Sequence, residues 1–224
     1  MAASRAIQDR LSLYGGGWKR LSIAFWNAPD LRWRYPEAMK ASYHAIRASV
    51  PLLESALAEA RARGPEDAVA AGLARYLAHH IEEERGHDGW LAEDLARLGV
   101  SGEALAEEIP SPAVAAMVGA QHYWVRHAHP VSILGYLAVL EGEPPEESLL
   151  TEAAARAGLP EAALSTLRYH ARVDKAHWQD LLDLFDALPL TPRHLALLGL
   201  SVLSACQGQE ALLRHVLSLQ APAA

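Results

Sequence analysis

The sequence predicts an all-α fold, and three observations carry that prediction. Of 224 residues, 43 are Ala and 35 are Leu, residues that give up little on entering a helix. Only 11 Val, 6 Ile and 3 Thr are present, so the β-branched residues that fill strands are scarce. Prolines and glycines punctuate long stretches in which leucine recurs every three or four residues, the period of a helix with one buried face. A chain of this length, 51% hydrophobic, buries a substantial core, and residues 1–224 are expected to form a single domain.

Residues 1–34 read as an irregular N-terminal segment, because Gly15-Gly16-Gly17 interrupts any helix. Its aromatics Tyr14, Trp18, Phe25, Trp26 and Trp33 would tie it down as a lid or a static wrap. Pro36 favours a first turn and opens a helix over 36–64, bent at Pro51. Pro65 opens a second, carried through Leu73, Leu77, Ile81, Leu91 and Leu95 to Gly99 or Gly102. A third runs from Ser111-Pro112 towards Pro130, a fourth from Pro130 to Glu141-Gly142, and a short fifth over 146–157. The sixth spans 160–188, and the seventh follows Thr191-Pro192. No repeat or low-complexity linker divides these seven helices.

Charge and cysteine usage narrow the function. A net charge of -7, with Lys19, Lys40 and Lys175 the only lysines, gives no basic footprint for a phosphate backbone and argues against a nucleic-acid partner. One cysteine, Cys206, excludes an intramolecular disulfide framework and any thiolate-rich metal site. The first twenty residues lack the apolar stretch of a signal peptide, and the longest apolar run, 131–140, is too short to cross a bilayer. The expectation is a soluble, cytoplasmic protein with no membrane partner.

Histidine is the anomaly, at 11 residues in an acidic chain. On the sixth helix, at 100° per residue, His170, Asp174 and His177 fall within an arc of about 60° shared with Ala163, Leu167, Leu181 and Leu184. An aspartate and two histidines thus interrupt the stripe that should face the core, and a buried carboxylate needs compensation. The second helix repeats the pattern: Leu73, Leu77, His80, Glu84, His87, Leu91 and Leu95 share a face. Glu84-x-x-His87 is the carboxylate–histidine spacing of helical-bundle metal sites. Glu83 also reaches His87 but lies off the leucine stripe, so Glu84 is preferred. Glu141 continues the face of Leu134 and Leu137 at the end of an otherwise uncharged helix. By contrast His44, His122, His127, His129, His194 and His215 read as hydrogen-bonded structural residues.

Three carboxylates set against two divalent ions leave one positive charge for an oxygen-derived or substrate anion. Carboxylate and imidazole donors without thiolate suit iron, with manganese as a substitute. A donor-poor centre with open positions suits oxygen activation rather than structural zinc.

On Glu84-x-x-His87, Glu141-Gly142 and His170-x-x-x-Asp174-x-x-His177, the chain resembles the haem-oxygenase-like dimetal oxidases over residues 36–218. These are iron-containing redox enzymes related in fold to haem oxygenase, thiaminase II and pyrroloquinoline-quinone synthase. The resemblance implies a seven-helix haem-oxygenase-like bundle and two ferrous ions that react with O2. It implies Glu84, His87 and His170 on one iron, with Glu141, Asp174 and His177 on the other and a carboxylate between them. It implies a small-molecule substrate, amino-acid-like or fatty-acid-like, that is oxidised, desaturated, cleaved or N-oxygenated; a homodimer is compatible with it.

Sister activities compete with this reading: a thiaminase-like hydrolase, a cofactorless oxidase, or a non-catalytic metal- or ligand-binding module. The hydrolase needs a nucleophilic cysteine in the pocket, whereas Cys206 stands in an apolar context. A haem oxygenase needs a histidine near the start of its first helix, and His44 lies inside it. Tyr76, Tyr169, His122, Arg126 and His129 are nominated for the pocket, with Arg126 matched to a substrate carboxylate. His80 is read as a supporting donor or a substitute ligand.

Overall fold

The computed structural model describes residues 2–220, and among them no strand occurs. Helix starts follow local chemistry. Asp67 accepts the N–H of Ala70 (2.9 Å), Ser101 that of Ala104 and Ser111 that of Val114. Thr191 and His194 exchange hydrogen bonds in a reciprocal cap, with Pro192 in the first turn. Each such cap satisfies N–H groups that the helix itself leaves unpaired.

The described residues form eleven α-helices: α1 (Ala3–Tyr14), α2 (Gly16–Trp26), α3 (Leu31–Ala62), α4 (Ala68–Glu84), α5 (His87–Ala96), α6 (Gly102–Glu107), α7 (Pro112–His127), α8 (Ile133–Glu141), α9 (Glu147–Ala157), α10 (Ser165–Ala187) and α11 (Pro192–Ser218). Short 3-10 turns at Pro130–Ser132 and Glu161–Leu164 lead into α8 and α10. The seven expected helices are all present, the second divided into α4 and α5. Three more, α1, α2 and α6, accompany them.

The N-terminal segment is therefore helical rather than irregular. Gly15 keeps right-handed helical dihedrals (φ -74°, ψ -12°), so the glycines join two helices with hardly a break. Ile7 and Leu11 of α1, and Phe25 and Trp26 of α2, are buried, and both helices pack on α11. Tertiary burial outweighs the weak helix propensity of glycine here. Likewise α3 starts before Pro36 and continues through both Pro36 and Pro51.

Two long helices organise the rest. α3 lies against α4, α5 and α7, while α11 lies against α1, α2, α7 and α8. α10 closes the bundle on α5 and α8. The buried apolar side chains form one contiguous cluster from Ile7 to Val216. By length and composition α11 is apolar enough to cross a membrane, but its Leu198, Val202, Ala205 and Val216 are buried among other helices. α8 and α11 approach at Gly135, where a Cβ would lie 2.7 Å from both the Leu198 carbonyl oxygen and Ser201 Cβ.

A candidate metal centre between α4, α5, α8 and α10

The four elements that close one end of the core each deliver polar side chains to it. α4 brings His80 and Glu84, α5 opens with His87, α8 ends at Glu141, and α10 carries His170, Asp174 and His177. The anomalous stripe of α10 thus faces the anomalous residues of its neighbours. Burial is deep: His80, His87, Glu141 and Asp174 are buried, and the side chains of His177 and Glu84 are only 12% and 15% exposed. Glu83, at 38%, is the more solvated of the adjacent pair.

Glu84 and His87 do not share one continuous helix. Arg85 is extended and Gly86 takes φ +87°, a left-handed conformation that glycine adopts without penalty. Arg85 is held outside by Glu82 (3.0 Å) and Glu54 (2.9 Å). The break makes Glu84 the last residue of α4 and His87 the first of α5, and their side chains meet at 3.1 Å. The i, i+3 spacing brings them together through a turn rather than along a helix face.

Two carboxylate–imidazole contacts orient the rings. Glu84 Oε2 accepts from His87 Nδ1 at 3.1 Å, and Asp174 Oδ1 from His170 Nδ1 at 3.0 Å. In the neutral rings each carboxylate favours the tautomer that presents the Nε2 lone pair, as carboxylate–histidine–metal arrangements do. Nε2 of His87 and of His170 are both buried with no hydrogen-bond partner, as is Glu141 Oε2. The His87 and His170 rings stand edge to face, 4.9 Å between centroids.

Around this pair the other donors gather. His177 Nδ1 lies 3.7 Å from Asp174 Oδ1, and the His80 and His177 rings are 5.5 Å apart. His80 Nε2 is 3.1 Å from Glu141 Oε1, without hydrogen-bond alignment. One donor atom each of His80, Glu84 and His177 lie within 4.8 Å of one another. All six residues singled out in the sequence therefore belong to one connected cluster, and His80 joins them as a seventh. Glu84 is the member that reaches both sides, touching His87 on one and standing close to His80 and His177 on the other.

The electrostatics show what the cluster lacks. Burial drives the Glu141 carboxyl above its usual range against the pull of His80. Burial also opposes charge on Glu84, but the imidazoles of His87, His80 and His170 outweigh it and hold that carboxyl low. In turn His80 and His170, disfavoured as cations by burial, are pushed up by Glu141 and Asp174 respectively. Unpartnered buried polar atoms each cost about 1–3 kcal/mol. Lone pairs of this number and kind, oxygen and imidazole nitrogen without sulfur, fit divalent iron or manganese.

Other nominated residues fall elsewhere. Tyr76 is stacked on His80 (5.2 Å) with its hydroxyl buried and unpartnered; burial and then Glu141 raise the phenol. Tyr169 packs on His87 and His170. His122 and Arg126 belong to α7, which packs on α3 and α11. Arg126 is solvent-exposed there and is not positioned to clamp a substrate at this cluster. His129 bonds Asp67 and the Val131 N–H, a structural role. Trp26 is buried against Phe25 and Tyr35, as a wrap would be. Cys206 is buried and its thiol is pushed up to about 11 by burial, which is not the setting of a nucleophile.

The residue that sequence reasoning passed over is Asp94. It is buried on α5 two turns beyond His87, and it accepts the N–H of Thr166 and the Ser165 hydroxyl at the start of α10. No period or motif marks it, because its partners are distant in sequence.

The architecture matches known folds. A domain of unknown function with a haem-oxygenase-like fold from Shewanella denitrificans superposes with a TM-score of 0.75 at 15% identity, covering 96% of this chain and 88% of that one. A TenA homologue from Pseudomonas syringae pv. tomato gives 0.72 at 14% identity, covering 95% and 92%. The fold is thus haem-oxygenase-like. No curated protein matches the chain in sequence. The sequence profile of the iron-containing redox enzymes matches residues 44–203, a span that includes every donor described above, and the chain belongs to that family.

Proposed function

We propose that the protein is a non-haem di-iron oxidase or oxygenase that uses O2 to transform a small organic metabolite. The observation that carries this reading is the set of buried, unpartnered donor atoms on His87, His170 and Glu141, in one cluster with Glu84, Asp174, His177 and His80. Glu84, His87 and His170 would hold one iron, and Glu141, Asp174 and His177 the other, with His80 as a further donor on the second side. Glu84 is best placed to lie between the two. When bound, a ferrous pair supplies the electrons that reduce O2 and the oxidising power passed to substrate.

The protein's own groups set the conditions for that chemistry. Glu84 and Asp174 hold the Nδ1 protons of His87 and His170, so both rings present the same nitrogen inward. Leu73, Leu77, Leu91 and Leu181 are fully buried on the same helices and anchor them to the core. A cleft of about 300 Å³ reaches Glu141 and Asp174 and is flanked by Trp178, Lys175 and Glu143; it offers a small molecule access to two of the donors. Its rim is tied by the ion pairs Lys19–Glu143 (2.5 Å) and Lys175–Glu146 (3.6 Å), which link α2 and α10 to the segment after α8.

The test is direct. Protein produced with iron and purified without chelator should contain up to two irons per chain. In its ferrous form it should consume O2 faster when its substrate is present. A screen of amine- and carboxylate-bearing metabolites, read by mass spectrometry for an oxidised product, would establish the reaction. Iron-free protein from an iron-replete preparation would refute the reading.

A further inference from the structure

Trp90 stands out among the large apolar side chains. It is 41% exposed, yet its ring packs on a buried imidazole of the cluster: the Trp90 and His87 centroids are 4.4 Å apart. Tyr169 completes the contact, 5.0 Å from Trp90, 5.5 Å from His87 and 5.7 Å from His170. An indole and a phenol, the two most readily oxidised aromatic side chains, thus run in van der Waals contact from two candidate ligands to solvent. Neither ring needs this arrangement for packing alone. An exposed indole contributes less burial than a core residue would, and His87 is already fixed by Glu84.

We propose, on the di-iron reading above, that Trp90 with Tyr169 is an electron relay through which a small one-electron reductant in solution, of the ascorbate or thiol class, reaches the centre. Full reduction of O2 to water takes four electrons and four protons. The ferrous pair supplies two electrons, and substrate supplies the other two in productive turnover. When substrate is absent, Trp90 gives up one electron for each remaining oxidising equivalent, and its indole N–H proton passes to solvent. The reductant then returns one electron and one proton to the ring, so two such events complete the reduction and leave the protein intact. Exposure of the ring edge is what allows the reductant to reach it.

The experiment uses the iron-loaded full-length chain, ferrous, mixed with O2 in the absence of substrate and freeze-quenched. Electron paramagnetic resonance should show an aromatic radical whose signal narrows when tryptophan is deuterated in the indole ring. Trp90→Phe should lose that signal while keeping its iron and its helical circular dichroism, whereas Trp178→Phe should keep it. Trp90→Tyr, which restores an oxidisable ring, should regain a radical with the hyperfine pattern of a phenol. On prolonged exposure without ascorbate, peptide mapping should find oxygen added first at Trp90, and ascorbate should suppress that addition. An identical radical in wild type and Trp90→Phe, or first oxidation elsewhere, overturns the relay and leaves the di-iron reading standing. Failure of the ferrous protein to bind iron or consume O2 overturns both.

Discussion

Asp94 accepts the backbone N–H of Thr166 at 2.8 Å. The same carboxylate takes the Ser165 hydroxyl at 2.5 Å and Arg97 at 3.0 Å, so a single buried side chain on α5 caps the first turn of α10. The consequence reaches the cluster: α5 carries His87 and α10 carries His170, and their contact depends on how the two helices are pinned. Asp94→Ala removes the cap and leaves buried donors without an acceptor, at a cost of about 1–3 kcal/mol. For a chain of this size that is a fall in Tm of about 2–4 °C for each kcal/mol, measurable by thermal melting. Bound iron should fall as well, although Asp94 touches no donor in the cluster. Asp94→Asn, which keeps an acceptor, should retain more of both.

The two donor sets should separate by metal count. His87→Ala and His170→Ala should each remove most of the iron, measured by elemental analysis. Asp174→Ala, His177→Ala and His80→Ala should leave about one ion per chain, with activity lost even so. Unchanged metal in all five variants would dismiss the assignment. Metal should also stabilise the fold. An ion free at 100 times its Kd contributes about 2.7 kcal/mol, so a chelator should lower the Tm of wild type and leave that of His87→Ala nearly unmoved.

How much of this was legible in the sequence depends on whether each partner lies one or two turns away. His170, Asp174 and His177 could be read because the helical period alone places them on one stripe, and the structure turns that stripe inward. Glu84 and His87 were read as a pair for a reason the structure replaces: they meet across the turn at Gly86, not along a helix face. The acidic run Glu82-Glu83-Glu84 hides the break, since nothing local distinguishes a continuing helix from one that Arg85 ties off on Glu54. His80 sits on the same stripe and reads as a supporting donor or a substitute ligand; its partner Glu141, 3.1 Å away, comes from a helix some 60 residues further on, which no local pattern pairs with it. Asp94 left no local trace at all. The N-terminal helices were obscured by Gly15-Gly16-Gly17, whose poor propensity is overcome by burial against α11, a contact some 180 residues away in sequence. Arg126 shows the reverse failure, where attractive chemistry was assigned to a residue whose helix packs elsewhere.

The approach of α8 to α11 gives a second route to the centre. A Cβ on Gly135 would meet a backbone oxygen and Ser201 Cβ at 2.7 Å, and neither can yield unless α11 moves. Gly135→Ala should therefore destabilise by about 1–3 kcal/mol, the usual cost of overpacking. Because Glu141 ends the same helix, displacement of α8 should also loosen the second ion. Gly119→Ala, where a Cβ would meet nothing within 4 Å, is the control: it should leave metal content unchanged and raise the Tm slightly, because alanine favours the helix over glycine by about 0.5–1 kcal/mol.

A source of acid sensitivity outside the metal cluster is the contact of Asp67 with His129 (3.0 Å). Burial opposes the charge of Asp67, but the Ala70 N–H and His129 outweigh it and hold the carboxyl below 3.8. Burial likewise holds His129 below 6.5, against the pull of Asp67. Both folded-state values are depressed, so both contributions have the same sign. The histidine's is complete above its unfolded value near 6.5 and is lost as pH falls through its lower folded value. The carboxylate's is complete above 3.8 and is lost as pH falls through a still lower value. The contribution of this pair to melting should therefore be lost in two stages on acidification, the first below pH 6.5. His129→Gln should reduce the first stage by this ring's share, leaving that of His44, His122 and His194, which burial also holds below 6.5. Asp67→Asn should remove its share of the second stage while keeping an acceptor for the Ala70 N–H, whereas Asp67→Ala should cost a further ~1 kcal/mol for the lost cap of α4. Identical pH profiles for wild type and His129→Gln between pH 7 and pH 5 would show that this pair does not govern acid stability.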